Sequence, residues 1–213
     1  GIGVYEFEVY GELNEPDKPE NPDAVTGNIA KGKRATASGV ESGVESCTAD
    51  LAVDGDKKTD TSRWSAPQMK TGTDANQKQN MQWLELNLGN NVTDITSIDI
   101  SFFKLVFSTD YTIKTRASET DNWREVAHIT HDPSAEQNKV DSIKTVKELD
   151  KYVRFEFNKV NTQAGGNSVS VREIEINGTQ VPVPYEPESA KEVLDTVKGL
   201  DTITADMTEV PLP

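Results

Sequence analysis

The amino-acid sequence predicts an all-β protein built as an antiparallel sandwich. Three observations carry that reading. Between Asn28 and about Thr179, apolar residues recur in short runs with a period of two, as in "QWLELNLG", "SIDISFF", "DYTIKTRA", "WREVAHI" and "KYVRFEF". Turn residues separate these runs at the spacing of a strand-rich domain. No stretch of the region keeps a helical period for three turns. About 150 residues is also the right size for one such domain.

Composition sets the outer bounds. Of the 213 residues, 34% are hydrophobic, enough to furnish one core while leaving much of the length polar. The formal net charge is −14, from 36 acids against 22 bases. Phosphate backbones and anionic headgroups attract Lys and Arg, so nucleic acid and anionic membrane are poor partners for this chain. The single cysteine, Cys47, excludes an internal disulfide. No apolar run reaches membrane-spanning length, and no basic-then-apolar signal opens the chain.

The elements follow in order. Residues 1–12 read as one strand, "IGVYEFEVYGE", which matches "VSVREIEINGT" from Val169 at a shift of 167 positions. Val4, Glu6, Glu8 and Gly11 then fall on Val171, Glu173, Glu175 and Gly178. The opening strand is therefore expected to close a preceding, similar domain, whose own signal peptide would lie upstream. Residues 13–27 belong to an acidic, proline-containing stretch that cannot bury apolar surface, so a linker is expected there. Residues 28–180 form the sandwich. A second proline-rich connector spans 181–187, "VPVPYEP". In 188–213 the period changes: Ala190, Val193, Leu194 and Val197 share a helical face, Gly199 is a candidate C-cap, and one strand follows. That tail is expected to begin a further domain.

Four segments of the central region together resemble the coagulation factor V/VIII type C (discoidin) family, in particular its bacterial family 32 carbohydrate-binding branch. They are "NIAKGKRATASG" from Asn28, "ADLAVDGDKKTDTSRWSA" from Ala49, "QWLELNLG" from Gln82, and "YVRFEF" with "VREIEING" at the end. "DYTIKTRASETDNWREVA" fits the middle of the pattern, and the order is the family's. The resemblance implies a galactose-binding-domain-like jelly-roll sandwich, a structural calcium, and ligand binding by loops at one end. It also implies a module appended to a secreted or surface-attached bacterial glycoside hydrolase.

The acidic turn "DGDKKT" supplies carboxylates and carbonyls in a tight loop, as a hard cation wanting six to eight oxygens requires. It lacks the later ligand positions and closing Glu of an EF-hand. Taken alone, it reads equally as a β-turn with Asp54 bound to backbone amides. The family resemblance assigns calcium to Asp54, Asp56, Thr59 and a carbonyl near Ala52, with Glu173 arriving from the last strand. Thr59 and Thr61 compete for one role because the spacing to Trp64 exceeds the family's shortest form; Thr59 is favoured. His128 and His131, three apart in a strand-like run, point to opposite faces and suit surface or edge positions better than a zinc site.

No catalytic constellation stands out. Thirty-six acids make some carboxylate pair inevitable, and nothing marks one for glycosidase geometry. Nucleophile elbows, phosphate-cradling loops and Cys/His dyads are absent from the sequence. The chain is therefore expected to be noncatalytic.

A sugar site needs an aromatic platform for the pyranose face and planar polar groups for the hydroxyl rim. Loops 38–50 and 66–81 carry no aromatic residue. "SFFKLVFSTDY" does: alternation sends Phe102 and Phe103 to opposite sides, so one must leave the core. Phe103 or Phe107 is the candidate platform, with Lys104 beside it; Asn161, Gln163 and Asn167 in "NTQAGGNS" are hydroxyl-binding candidates. Trp64, Trp83 and Trp123 sit in strand-like patterns and are assigned to the core. The expected role is a glycan-targeting module for galactose-, N-acetylgalactosamine- or N-acetylglucosamine-type termini; the alternative is a structural spacer with no ligand.

Overall fold

Alternation along the chain is realised as two stacked antiparallel sheets in the computed structural model, which describes residues 24–69 and 81–181. The described residues form ten strands: β1 Val25–Asn28, β2 Arg34–Ala37, β3 Trp64–Ser65, β4 Gln82–Asn87, β5 Thr93–Phe102, β6 Ser108–Arg116, β7 Arg124–Thr130, β8 Val140–Ile143, β9 Tyr152–Val160 and β10 Ser170–Gln180. One sheet runs β1-β10-β5-β8, with β3 also pairing β10; the other runs β2-β4-β9-β6-β7. Every pairing is antiparallel. The all-β sandwich expected from periodicity is the fold observed.

Strand β4 displays the logic most clearly. Leu84 and Leu86 of β4, with Leu88 just beyond it, are fully buried, while Trp83, Glu85 and Asn87 stay part-exposed on the opposite face. The core between the sheets is aromatic at its centre. Trp64 and Tyr111 each place their ring 5.8 Å from that of Phe157, and Phe102 lies 6.1–6.4 Å from Tyr111, Phe107 and Phe157. Tilted and edge-on rings at these separations are favourable beyond their simple burial. The polar tips are satisfied: Trp64 Nε1 donates to Gly39 O at 2.8 Å and the Tyr111 hydroxyl donates to Asp141 at 2.7 Å. Burial, with the Asp141 charge beside it, pushes the Tyr111 hydroxyl well above its ordinary range.

One boundary needs correction. Val25–Gly27 is strand rather than linker, because its backbone completes the sheet edge against Gln180–Gly178 of β10. Pairing partners outweigh composition there. The strand, the proline-rich connectors and the helix assigned to 1–23 and 182–213 lie outside the described residues, as does most of loop 66–81.

Gly178 explains why the strand-ending glycine matters. A Cβ there would sit 2.9 Å from both Thr93 O and Val92 Cγ1, and 3.1 Å from Ile95 Cγ1, where β10 passes an irregularity in its pairing with β5. Backbone cannot retreat as a flexible side chain can. Gly178→Ala should therefore cost about 1–3 kcal/mol through overpacking, read as a lowered unfolding midpoint; an unchanged midpoint would contradict the close approach.

Candidate functional site

The end of the sandwich where β5 finishes and β10 begins is organised by one extra residue. Val171 pairs with Phe102 and Glu173 with Ser101, so Arg172 is inserted between adjacent pairs as a β-bulge. Bulges re-aim side chains. Here Glu173 meets the acidic turn at Gly55, while Arg172 meets later residues of the same loop and the Phe103 ring.

Glu173 is fully buried and meets the acidic turn. The turn follows a 3₁₀ segment, Ala49–Ala52, whose Ala52 is also fully buried. Gly55 adopts φ +90°, a conformation natural to glycine, and the Lys31 side chain fills the space a Cβ would need, 2.7 Å away at Cε. The Gly55 N–H donates to Glu173 Oε2 at 3.1 Å, while Glu173 Oε1 is buried with no hydrogen-bond partner. Burial first, and then the charges of Asp54 and Glu175, push the Glu173 carboxyl up to about 7. Asp54 Oδ1 accepts the Asp56 N–H at 2.7 Å, and the Ser62 hydroxyl donates to Oδ2. Asp56 closes its own turn, accepting from the N–H groups of Lys58 at 2.8 Å and Thr59 at 3.0 Å. The Thr59 hydroxyl and then these amides hold the Asp56 carboxyl at about 2.

The turn thus brings Asp54 and Glu173 together across Gly55, whereas Asp56 and Thr59 bond to each other one step further on. A buried carboxylate with an orphaned oxygen, beside a second carboxylate, fits a hard cation. Among the described residues no three His, Cys, Asp or Glu side chains converge, so such a cation would draw its remaining oxygens from carbonyls and hydroxyls, as calcium readily does.

Arg172 reaches further along the same loop, where Nη1 donates to Lys57 O and Thr59 O, each at 3.4 Å. It donates from Nη2 to Asp60 Oδ1 at 2.6 Å and lies 4.8 Å over the ring of Phe103. Arg63 lies over the same ring at 4.1 Å and Lys104 Nζ at 4.6 Å. Lys104 also meets Asp60 at 3.3 Å. Hydrogen bonds from Arg172 and then Lys104 hold the Asp60 carboxyl below its usual range. Phe103 has left the core, as alternation required, and is part-exposed beside a cationic cluster.

The remaining candidates divide. Phe107 is fully buried against Phe102, so its ring is not available to a ligand; the strand turns it inward after the β5–β6 connection. Asn161 is also fully buried. Its amide donates to Leu105 O at 2.9 Å and Ser134 O at 2.8 Å, and its Oδ1 accepts from Ser134 N and Gln163 N, so it pins two loops together rather than facing solvent. Gln163 is exposed and Asn167 half-buried on the same loop. Sequence reasoning missed Arg63, Asp60 and Arg172. Arg63 lies in the loop just before β3, where alternation does not set its direction, and the bulge that turns Arg172 carries no sequence signature.

Trp83 and Trp123 are not core residues. Both are half-buried on the outer face of the second sheet, where Arg154 lies 4.5 Å over Trp83 and 4.6 Å over Trp123, and Arg116 lies 4.3 Å over Trp123. Arg154 is held from Nε and Nη2 to Glu85 at 3.0 and 2.7 Å. Both histidines lie at the edge formed by β7, His128 3.0 Å from Asp110 and His131, just past the strand, 2.8 Å from buried Asp141.

A two-sheet antiparallel sandwich with its polar constellation on the loops at one end defines a class of β-domain. Residues 34–174, more than half of the chain, match the F5/8 type C domain, and the chain belongs to that family. Among solved structures, chitosan-binding module 1 from a chitosanase/glucanase of Paenibacillus sp. IK-5 is 27% identical, with a TM-score of 0.55 over 71% of this chain and 98% of that one. Chitosan-binding module 2 of the same enzyme, solved with chitotriose, is 23% identical, with a TM-score of 0.52 over 71% and 100%. The family 32 carbohydrate-binding module of Clostridium perfringens NanJ, solved with galactose, is 20% identical, with a TM-score of 0.50 over 73% and 98%. No curated protein matches.

Two variants separate core from rim. Phe107→Ala should cost about 3–5 kcal/mol, the range for truncating a buried aromatic, whereas Phe103→Ala should leave the unfolding midpoint close to that of the parent. Equal losses in the two would contradict the placement of Phe103. The elevated Glu173 pKa also has a direction. In metal-free protein its stabilising contribution is complete below the unfolded carboxyl value and is lost as pH rises through about 7. The chelated chain should accordingly lose stability between pH 5 and 8, by roughly the titration of one carboxyl, and Glu173→Gln should flatten that slope in thermal melts.

Proposed function

We propose that the domain is a noncatalytic carbohydrate-binding module that docks terminal sugars on the loop end of the sandwich. The observation that carries this reading is Phe103: an aromatic ring outside the core, at the loop end of an F5/8 type C fold, ringed by planar and cationic donors. An apolar ring face beside hydrogen-bond donors is the combination a pyranose needs. The likeness to a chitosan-binding module at 27% identity supports the same reading. Galactose, N-acetylgalactosamine and N-acetylglucosamine termini are the proposed sugar class.

The mechanism is targeting rather than chemistry. A monosaccharide of about 12 non-hydrogen atoms, at ~0.3–0.5 kcal/mol per atom, binds with roughly millimolar to tens-of-micromolar affinity. One module of that strength tethers weakly, and a tandem arrangement gains through effective concentration. We place the module on a secreted or surface-attached bacterial glycoside hydrolase, a setting that the likeness to modules of bacterial carbohydrate-active enzymes supports. Among the described residues no helix is long and apolar enough to cross a membrane.

Calcium is the proposed structural ion, held by Asp54 and Glu173 with the Ala52 carbonyl, and with Asp56 and Thr59 shaping the turn. The ion would neutralise the buried Glu173 and fasten β10 to the turn. Excess calcium against chelator should raise the unfolding midpoint by the linkage of a ligand bound only to the folded state, and Glu173→Gln should abolish the shift. No shift in the parent protein would remove calcium from this account.

A second reading is favoured by a different observation. Phe103 already has three cations over its ring and Asn161 spends its hydrogen bonds within the fold, so the loop end could be self-satisfied and the domain a spacer. Retention on immobilised glycans decides between them. Parent protein should be retained and Phe103→Ala should lose about tenfold or more, the order of one aromatic contact. Absence of retention on any glycan leaves the spacer.

A further inference from the structure

The cluster around Phe103 carries a charge pattern at odds with the whole chain. Arg63, Lys104 and Arg172 surround the ring, and one carboxylate, Asp60, faces them. Three cations gather at one ring, with Asp60 against them and Asp56 within reach of the Arg172 charge, on a chain of net charge −14. The donors are also incompletely used. The Arg172 side chain is 9% exposed, yet its Nε has no partner, and Arg63 Nε is likewise buried and unpartnered. Buried guanidinium N–H groups without acceptors are costly, and a planar carboxylate is the acceptor that suits them.

The backbone around the cluster is strained in the same place. Lys104 and Asn138 both adopt positive φ, +49° and +53°, and hold each other: Lys104 N donates to Asn138 Oδ1 at 3.0 Å, and Asn138 N to Lys104 O at 2.9 Å. Non-glycine residues in this region of conformational space gather at ligand clamps. Here the strain presents the Lys104 ammonium beside the Phe103 ring. Asn138 and Arg172 in turn line a groove of ≈ 750 Å³ whose wall also carries Lys57, Lys58 and the carboxylates Asp99 and Glu175.

We propose that this cluster binds the carboxylate of an acidic saccharide, and that Asp60 is an internal stand-in for it. The Asp60 side chain is 58% exposed on a turn and its pair with Lys104 is exposed on both sides, so an incoming carboxylate takes the Lys104 contact first, at small cost. The ligand then takes the Lys104 and Arg172 contacts that Asp60 held, while the part-exposed Phe103 ring takes a C–H face of the same sugar. The inference rests on the glycan-binding reading above and names the charge of its ligand. It also assigns Arg63 and Arg172 to recognition and Asp60 to competition with the ligand.

A matched pair of ligands tests it: a galacturonate oligosaccharide and the same oligosaccharide with its carboxyl groups reduced to alcohols. Titration calorimetry on the full chain should give roughly five- to tenfold tighter binding of the acid, weakening with salt. Lys104→Gln should lower that preference, and Arg63→Gln likewise. Asp60→Asn should raise affinity for the acid by a similar factor and leave the reduced ligand unchanged, because it removes the competing anion. Sodium acetate at equal ionic strength should not compete; if it does, the site is for small carboxylates and not for an acidic saccharide. Equal binding of acid and alcohol overturns the charge assignment and leaves glycan binding standing. Asp60→Asn that only lowers the melting midpoint, with the acid-to-alcohol ratio unchanged, makes Asp60 a loop latch and likewise overturns it. Failure of every glycan to bind a folded chain sinks both readings.

Discussion

The loop end depends on one buried carboxylate reached through one extra residue. Without the bulge at Arg172, the simple alternation of β10 would set where Arg172 and Glu173 point. The inserted residue breaks that alternation, so Glu173 drops against the Gly55 turn while Arg172 swings over Phe103. The acidic turn and the cationic cluster are therefore not two independent constructions. Both are held by consecutive residues at a single irregularity in the last strand, and a change in register there would dismantle both.

Elsewhere, Arg116 Nε apart, polar groups of the described residues are kept inside the fold by pairing. Asp141, only 7% exposed, accepts from Tyr111 at 2.7 Å, contacts His131 at 2.8 Å and has Lys139 at 3.6 Å. Asn161 satisfies both ends of its amide. On the outer face of the second sheet, Glu85 anchors Arg154 between two tryptophans. Against this background the unpartnered atoms stand out by contrast. Arg63 Nε, Arg172 Nε and Glu173 Oε1 lie around the bulge and the loops it touches, and Arg116 Nε lies apart from them on the outer sheet face. Most of the unmet polar demand of the described residues is thus concentrated where a binding end should be.

The fold was legible in the sequence because sheet faces alternate strictly, and that rule needs no knowledge of neighbours. It placed Leu84, Leu86 and Leu88 inside and separated Phe102 from Phe103 correctly. The rule also permits an inward or an outward Trp in a strand, so it could not tell Trp64 in the core from Trp83 and Trp123 stacked on arginines. The site was less legible for a related reason. Phe107 and Asn161 occur in loop-like sequence, yet the chain folds back and covers them, a tertiary event with no local trace. The strand character of Val25–Gly27 was hidden because its partner lies more than 150 positions away.

The edge pairing of β1 with β10 has an implication for attachment. Val25 faces Gln180 as its partner, so the domain is entered and left at one corner. β10 runs eleven residues from there to Ser170, roughly 33 Å at the usual strand rise. Chain leaving both strands at that corner loads the β1–β10 ladder one hydrogen bond at a time from its end, while Phe103 lies at the other end of β10, donating from its N–H to Ser170 O at 2.9 Å. Entry and exit at one corner therefore leave the full length of β10 between the domain's connections and the Phe103 end.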